Sequence, residues 1–140
     1  MSNYATENLR TLALVGHGSC GKTTLIEAML YRAGMIPEMG SIQRGTTMCD
    51  NDLQEKEVGH SIRLAVAHID TAMTDLTPVR IHILDTPGYP DYLGQDMSAL
   101  DAVKSVCAVI DPTKGPELLT RRLMAMAKER GLCRMIVINH

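Results

Sequence analysis

Gly16-His17-Gly18-Ser19-Cys20-Gly21-Lys22-Thr23 carries residue types and spacing that can cradle a polyphosphate. The run fits G-x-x-x-x-G-K-[ST] at every position. Its glycines let successive backbone N–H groups curl toward one concavity, and a helix N-terminus behind them adds a positive dipole end. Lys22 is expected to reach the β- and γ-phosphates, and the Thr23 hydroxyl to take a Mg²⁺ position. Strand-like Leu12-Ala13-Leu14-Val15 precedes the loop, and helix-like Thr24-Leu25-Ile26-Glu27-Ala28-Met29-Leu30 follows it. Those flanks favour a nucleotide site over a ligand-free, Gly-rich turn.

A second chemical signal is Ile81-His82-Ile83-Leu84-Asp85-Thr86-Pro87-Gly88. An apolar strand ending in an acid delivers that acid to the carboxyl edge of a parallel sheet, where ligands gather. Asp85 can there hold Mg²⁺, through water since this ion keeps part of its hydration shell. Gly88 has no side chain to keep its N–H away from a γ-phosphate. An ordinary Asp-Thr-Pro-Gly turn is the alternative, and the preceding phosphate loop weighs against it.

The elements that must position these groups alternate between apolar runs and helical periods, which argues for a mainly parallel α/β sheet. Strands are expected at 11–15, 61–69, 79–84, 105–110 and 133–138, with helices at 22–34, 95–103 and 117–130. The short connector 70–78 requires 61–69 and 79–84 to run antiparallel. In the last helix Leu118, Leu119, Leu123, Met126 and Ala127 supply the apolar positions. Residues 86–95 form a loop containing Gly and Pro. About 25 aperiodic residues, 35–60, make a connection long enough to be functional or disordered.

The chain has 140 residues, room for one domain. Apolar residues make up 45% and aromatics only 3%, so the core must be aliphatic, with ten Met as adaptable filler. A net charge of −2 with dispersed Lys and Arg gives no basic footprint for DNA and no polybasic membrane anchor. No signal peptide or membrane-length apolar run is evident, so a cytoplasmic protein is expected. Cys20, Cys49, Cys107 and Cys133 are far apart and read as reduced fillers rather than a disulfide or zinc framework.

The two motifs together resemble the GTP-binding domain of translational GTPases, in particular elongation factor G and its paralogues. ALVGHGSCGKTTLIEAMLYRAGMI, GTTMCDNDLQEKEVGHSI, ILDTPGYPDYLGQ and VIDPTKGPE carry the resemblance, and MIVINH matches the strand entering the family's guanine-reading Asn-Lys-x-Asp motif. The resemblance implies a P-loop NTPase G domain with strand order 2-3-1-4-5-6 and helices on both faces. It also implies GTP/GDP and Mg²⁺ as ligands, GTP hydrolysis, and the ribosome as partner. Residues 1–140 would be the N-terminal part of that domain, lacking the sixth strand and last helices and leaving an unpaired edge at 133–138. Residues 35–60 become switch I and 85–95 switch II. The nucleotide-contacting set becomes His17, Gly18, Ser19, Cys20, Gly21, Lys22, Thr23 and Thr24, with Asp85, Gly88 and Asn139. Lys22, Gly88 and Tyr89 are the candidate catalytic groups, and Thr23, Ser61 and Asp85 the metal-holding set. Ser61 stands where the family has a Thr, and the alternative is a Ser that only begins a strand.

Departures from the family pattern sharpen these expectations. Tyr89 replaces the His that orients the attacking water, so it either positions water or packs the loop, and weak hydrolysis without a partner is expected. Ser19 replaces a frequent Asp. His140 replaces the Lys after Asn139, leaving base choice open. A non-hydrolysing guanine-nucleotide switch is therefore an alternative, and an ATP-dependent P-loop enzyme a weaker one. His17, His82, Cys20, Arg121, Arg122 and Asp111 read as packing, surface or turn residues.

Overall fold

The computed structural model describes residues 4–49, 55, 60–73 and 75–139. The strands are β1 (Leu9–Val15), β2 (Ala65–Ala72), β3 (Pro78–Asp85), β4 (Ser105–Ile110) and β5 (Cys133–Ile138). The helices are α1 (Lys22–Arg32), α2 (Leu93–Ala102) and α3 (Leu118–Glu129). The sheet order is β2-β3-β1-β4-β5, parallel throughout except for the β2–β3 pair. This is the expected G-domain order over five strands, with the antiparallel pair where the short connector demanded it.

Residue parity along the central strands decides which helix covers which face. Ala13 and Val15 of β1, with Val106 and Ala108 of β4, pack under Leu100 of α2 and Leu123 of α3. The alternate residues Leu14, Cys107 and Val109 pack on the opposite face with Ile26 and Leu30 of α1. Both apolar layers are aliphatic, as the absence of Phe and Trp requires. This sandwich holds the carboxyl ends of β1 and β3 side by side: Leu14 is in register with Asp85.

Several boundaries differ from the sequence reading. Strand β2 starts at Ala65 rather than 61, because side chains claim the intervening N–H groups. Glu55 accepts from Ile62 and Arg63, and Gln95 from Leu64. Helix α1 stops at Arg32, where Gly34 turns left-handed (φ +69°) and Met35 N–H bonds back to Leu30 O. The stretch 86–95 is not all loop: Pro90–Tyr92 form a 3₁₀ turn that runs into α2 at Leu93. Leu118 is 83% exposed; Leu119, Leu123 and Ala127, each four residues apart, make the buried face of α3. Cys20, Cys49 and Cys107 are buried as expected, but Cys133 lies exposed on β5 and fills no core. Strand β5 has its only strand partner, among the described residues, in β4, and exposes Met135, Ile136 and Ile138.

Candidate functional site

The loop Gly16–Gly21 leaves β1 and wraps around the start of α1. Ser19 (φ +64°) and Gly21 (φ +88°) both take left-handed backbone, and Gly21 caps α1. A Cβ on Gly21 would sit 2.3 Å from the Asn139 amide, and the φ of +88° strains any larger residue there. Lys22 is buried, and its ammonium donates to Gly16 O and His17 O, each at 3.0 Å. The loop carbonyls thus aim the cation along the loop. A helix N-terminus with an ammonium at its mouth suits a multiply charged anion.

The three residues read as metal-holding come together. Thr23 Oγ1 donates to Asp85 Oδ2 at 2.6 Å and lies 3.2 Å from Ser61 Oγ. They come from α1, the end of β3 and the segment before β2, positions 38 and 62 residues apart in the chain. Two hydroxyls and a carboxylate, all buried, form a hard-oxygen donor set that fits Mg²⁺. Ser61 is not the start of β2, so strand geometry does not dictate where its hydroxyl points.

Gly88 (φ +80°) lies against the loop and its lysine: a Cβ there would be 2.3 Å from Lys22 Nζ and 2.4 Å from Gly16 O. Tyr89 follows, and its ring rests on Gly18, where a Cβ would meet Cζ at 2.2 Å and Oη at 2.6 Å. A cleft of about 300 Å³ opens beside these groups, lined by Ser19, Gly21, Lys22, Thr23, Thr24, Ile42, Gln43, His60, Ser61, Thr86, Pro87 and Tyr89.

Residues 7–140 match the model of the elongation factor Tu GTP-binding domain. The chain belongs to that family. It is 35% identical over 131 residues to an elongation factor G-like protein of Mycobacterium tuberculosis, covering 94% of this chain and 18% of that protein. It is 33% identical over 128 residues to the tetracycline resistance protein TetM from transposon Tn1545 of Enterococcus faecalis, covering 91% and 19%. A crystal structure of a Thermus thermophilus protein superposes with a TM-score of 0.84 at 36% identity, covering 92% of this chain and 19% of that one. The bacterial selenocysteine-specific elongation factor, at 23% identity and a TM-score of 0.70, shares the fold. The chain spans about a fifth of the length of these relatives.

Within this translational GTPase domain the remaining site candidates sort by contact. Thr24 and Ser19 are exposed on the cleft wall. His17 has its Nδ1 3.2 Å from Glu117 and its ring centroid 6.0 Å from that of Tyr89. Asn139 donates to Cys20 O at 3.1 Å, tying the end of β5 to the phosphate-loop motif. His140 lies outside the described residues. Burial pushes the Cys20 thiol up despite nearby Lys22, so it is a packed thiol rather than a reactive one. Asp111 shapes a turn, accepting from the Thr113 N–H and hydroxyl. His82 is half-buried opposite His68 on β2.

Four polar residues that the sequence reading passed over organise the site. Glu27, on the buried side of α1, accepts from Gly40 N–H (2.9 Å) and from Met48 N–H, anchoring the segment after α1. Gln95 of α2 accepts from Leu64 N–H (2.6 Å) and donates to Ile62 O (2.9 Å), gripping the backbone on either side of Arg63. Asp96 is fully buried beside Thr86 and Gly88, and burial raises its pKa above the ordinary carboxylate value. His60 stands in the cleft wall.

Proposed function

We propose that this chain is the GTP-binding and GTP-hydrolysing module of an elongation-factor-G-like translation factor. Residues 35–60 act as switch I and 85–95 as switch II, and both sense the γ-phosphate. The observation that carries this reading is the convergence of Thr23, Ser61 and Asp85 at the mouth of the Gly16–Thr23 loop. Elongation factor G-like naming among the relatives supports the ribosome as partner and the cytoplasm as location.

In this reading His17 to Thr24 surround the phosphates, and the loop N–H groups and Lys22 stabilise charge developing on the γ-phosphoryl oxygens. Mg²⁺, held by the Thr23 and Ser61 hydroxyls and by Asp85 through water, would neutralise charge between the β- and γ-phosphates. Gly88 N–H approaches the γ-phosphate because no Cβ intervenes. Asn139 begins the base-reading strand end. Water attacks phosphorus in line, and GDP leaves with the bridging oxygen.

Binding of a fluorescent GDP to wild type and Lys22→Ala tests the site, with ADP as competitor. Loss of roughly a hundredfold or more in affinity, about 3 kcal/mol, is expected for the variant. Equal displacement by ADP overturns the guanine assignment. A second reading, a guanine-nucleotide switch without hydrolysis, draws on Tyr89, whose ring lies against Gly18. It expects tight GTP binding with no phosphate release even with ribosomes, and gain of hydrolysis in Tyr89→His.

A further inference from the structure

An attacking water needs an acceptor on the far side of the γ-phosphate from the leaving oxygen. Among the groups at this cleft, Lys22 is a donor only, and Thr23 is engaged with Asp85. The Tyr89 ring is pressed onto Gly18, with its phenol oxygen against the loop backbone. Gln43 is exposed and hydrogen-bonded to no described residue. His60 differs from all of these. Its ring is half-buried in the cleft wall and packs against the Tyr89 ring, centroids 4.5 Å apart at 41°. Its Nδ1 lies 3.3 Å from Ser61 O. A carbonyl can only accept, so in the uncharged ring that contact selects the tautomer with its hydrogen on Nδ1 and the lone pair on Nε2.

We propose that His60 orients the attacking water through Nε2, with Tyr89 as the platform that fixes its ring. This deepens the hydrolase reading above and rests on it. The step balances without the imidazole taking a proton. The water oxygen bonds to the γ-phosphorus, and the bond to the β–γ bridging oxygen breaks, its electron pair leaving with GDP. The water's protons go to released phosphate and solvent. The Gly18–Tyr89–His60 stack explains why a glycine stands in the middle of the phosphate loop. Any side chain at Gly18 would lift Tyr89 off the loop and take the platform from His60.

The test is single-turnover hydrolysis of γ-labelled GTP by the full chain with ribosomes, alongside the affinity for a non-hydrolysable GTP analogue. His60→Ala is expected to slow phosphate release about 100-fold while analogue affinity stays within about twofold. His60→Gln, which keeps an acceptor of similar reach, should recover to within about tenfold of wild type. Tyr89→Ala should resemble His60→Ala, and Tyr89→Phe, which keeps the ring, should lose less than Tyr89→Ala. The assignment is overturned if His60→Ala hydrolyses normally, if Gln43→Ala or Tyr89→Phe carries the loss instead, or if His60→Ala loses analogue affinity in proportion. A wild-type chain that binds GTP but releases no phosphate overturns the hydrolase reading itself, and this inference with it. Failure confined to the variants leaves that reading intact.

Discussion

Replacing Asp96 by Asn should stabilise the protein at neutral pH. Asp96 is 0% exposed, and neither carboxylate oxygen has a hydrogen-bond partner among the described residues. The nearby Thr86 hydroxyl has one hydrogen, and Leu14 O takes it at 2.9 Å. Burial is the dominant influence on the carboxyl and raises its pKa. Thr86, the Lys22 charge and the Gly88 N–H pull it only part of the way back. The native state therefore binds a proton more tightly than the unfolded chain does. Below the ordinary carboxylate pKa both states are protonated, and Asp96 costs little. As pH rises toward the raised value the unfolded chain ionises first, so stability falls, by at most about 1.4 kcal/mol per pH unit for one proton. Above it the cost of a buried charge that its surroundings offset only in part is in place. Asn is nearly isosteric and carries no such cost. A gain of about 1–3 kcal/mol is expected at pH 7.5, shrinking toward zero near pH 4. Urea unfolding of both proteins at the two pH values, at fixed nucleotide, measures it. A gain equal at both pH values, or no gain at pH 7.5, refutes the assignment of the shift to burial.

Three further outcomes follow from the hydrogen bonds and close contacts around the site. Glu27→Ala should cost about 2–4 kcal/mol in urea, because two N–H bonds to one buried carboxylate are lost, and should speed proteolysis within 35–49. Gln95→Leu should cost about 1–2 kcal/mol and weaken Mg²⁺-dependent GTP binding more than GDP binding, since it frees the backbone that follows Ser61. Gly88→Ala, at φ +80° with its Cβ 2.3 Å from Lys22 Nζ, should lower GTP affinity about tenfold or more by displacing the ammonium; equal affinity in a titration refutes the close approach.

The parts of the fold legible in the sequence are those governed by local chemistry. Strands β4 and β5 fall at their expected bounds because each is an apolar run with polar punctuation at both ends. The antiparallel β2–β3 pair followed from a connector too short for a crossover. The Gly16–Thr23 loop, Asp85 and Gly88 were legible because a motif fixes residue types at fixed spacing. What escaped was set by partners distant in sequence. Residues 61–64 read as strand because their pattern alternates, yet their N–H groups bond to Glu55 and Gln95 side chains, and only from Ala65 does β3 take over. Glu27, Gln95 and Asp96 sit on helices where a polar residue ordinarily means a solvated face. Their burial depends on loops that no helical period reveals. His60 lay at the end of an aperiodic segment, and its place comes from the Tyr89 ring, a partner distant in sequence, and the Ser61 carbonyl.

The magnitudes of the contacts around Ser61 bear on whether a phosphate can move it. Two Gln95 bonds and the Thr23–Ser61 contact tie this backbone to α1 and α2, worth together about 2–4 kcal/mol net, while Glu55 bonds Ile62 and Arg63 from within the same stretch of chain. The Tyr89–His60 stack adds about 0.5–1.5 kcal/mol. Moving a two-state segment from one part in a hundred to ninety-nine takes about 5.5 kcal/mol. A γ-phosphate and its metal make charge-assisted bonds worth about 1.5–3 kcal/mol each, so two or three of them are sufficient. The Ser61 segment is thus held firmly enough to have a defined position and loosely enough for nucleotide state to decide it. Glu27, with two bonds to a buried carboxylate on the helix that opens at Lys22, ties residues 40 and 48 to α1 instead. Within the described residues the nucleotide response should therefore be concentrated at His60 to Leu64, with the Glu27 anchor unmoved. Amide hydrogen exchange that differs between GDP and a GTP analogue at Ile62 and Leu64, but not at Gly40 and Met48, is the expected pattern.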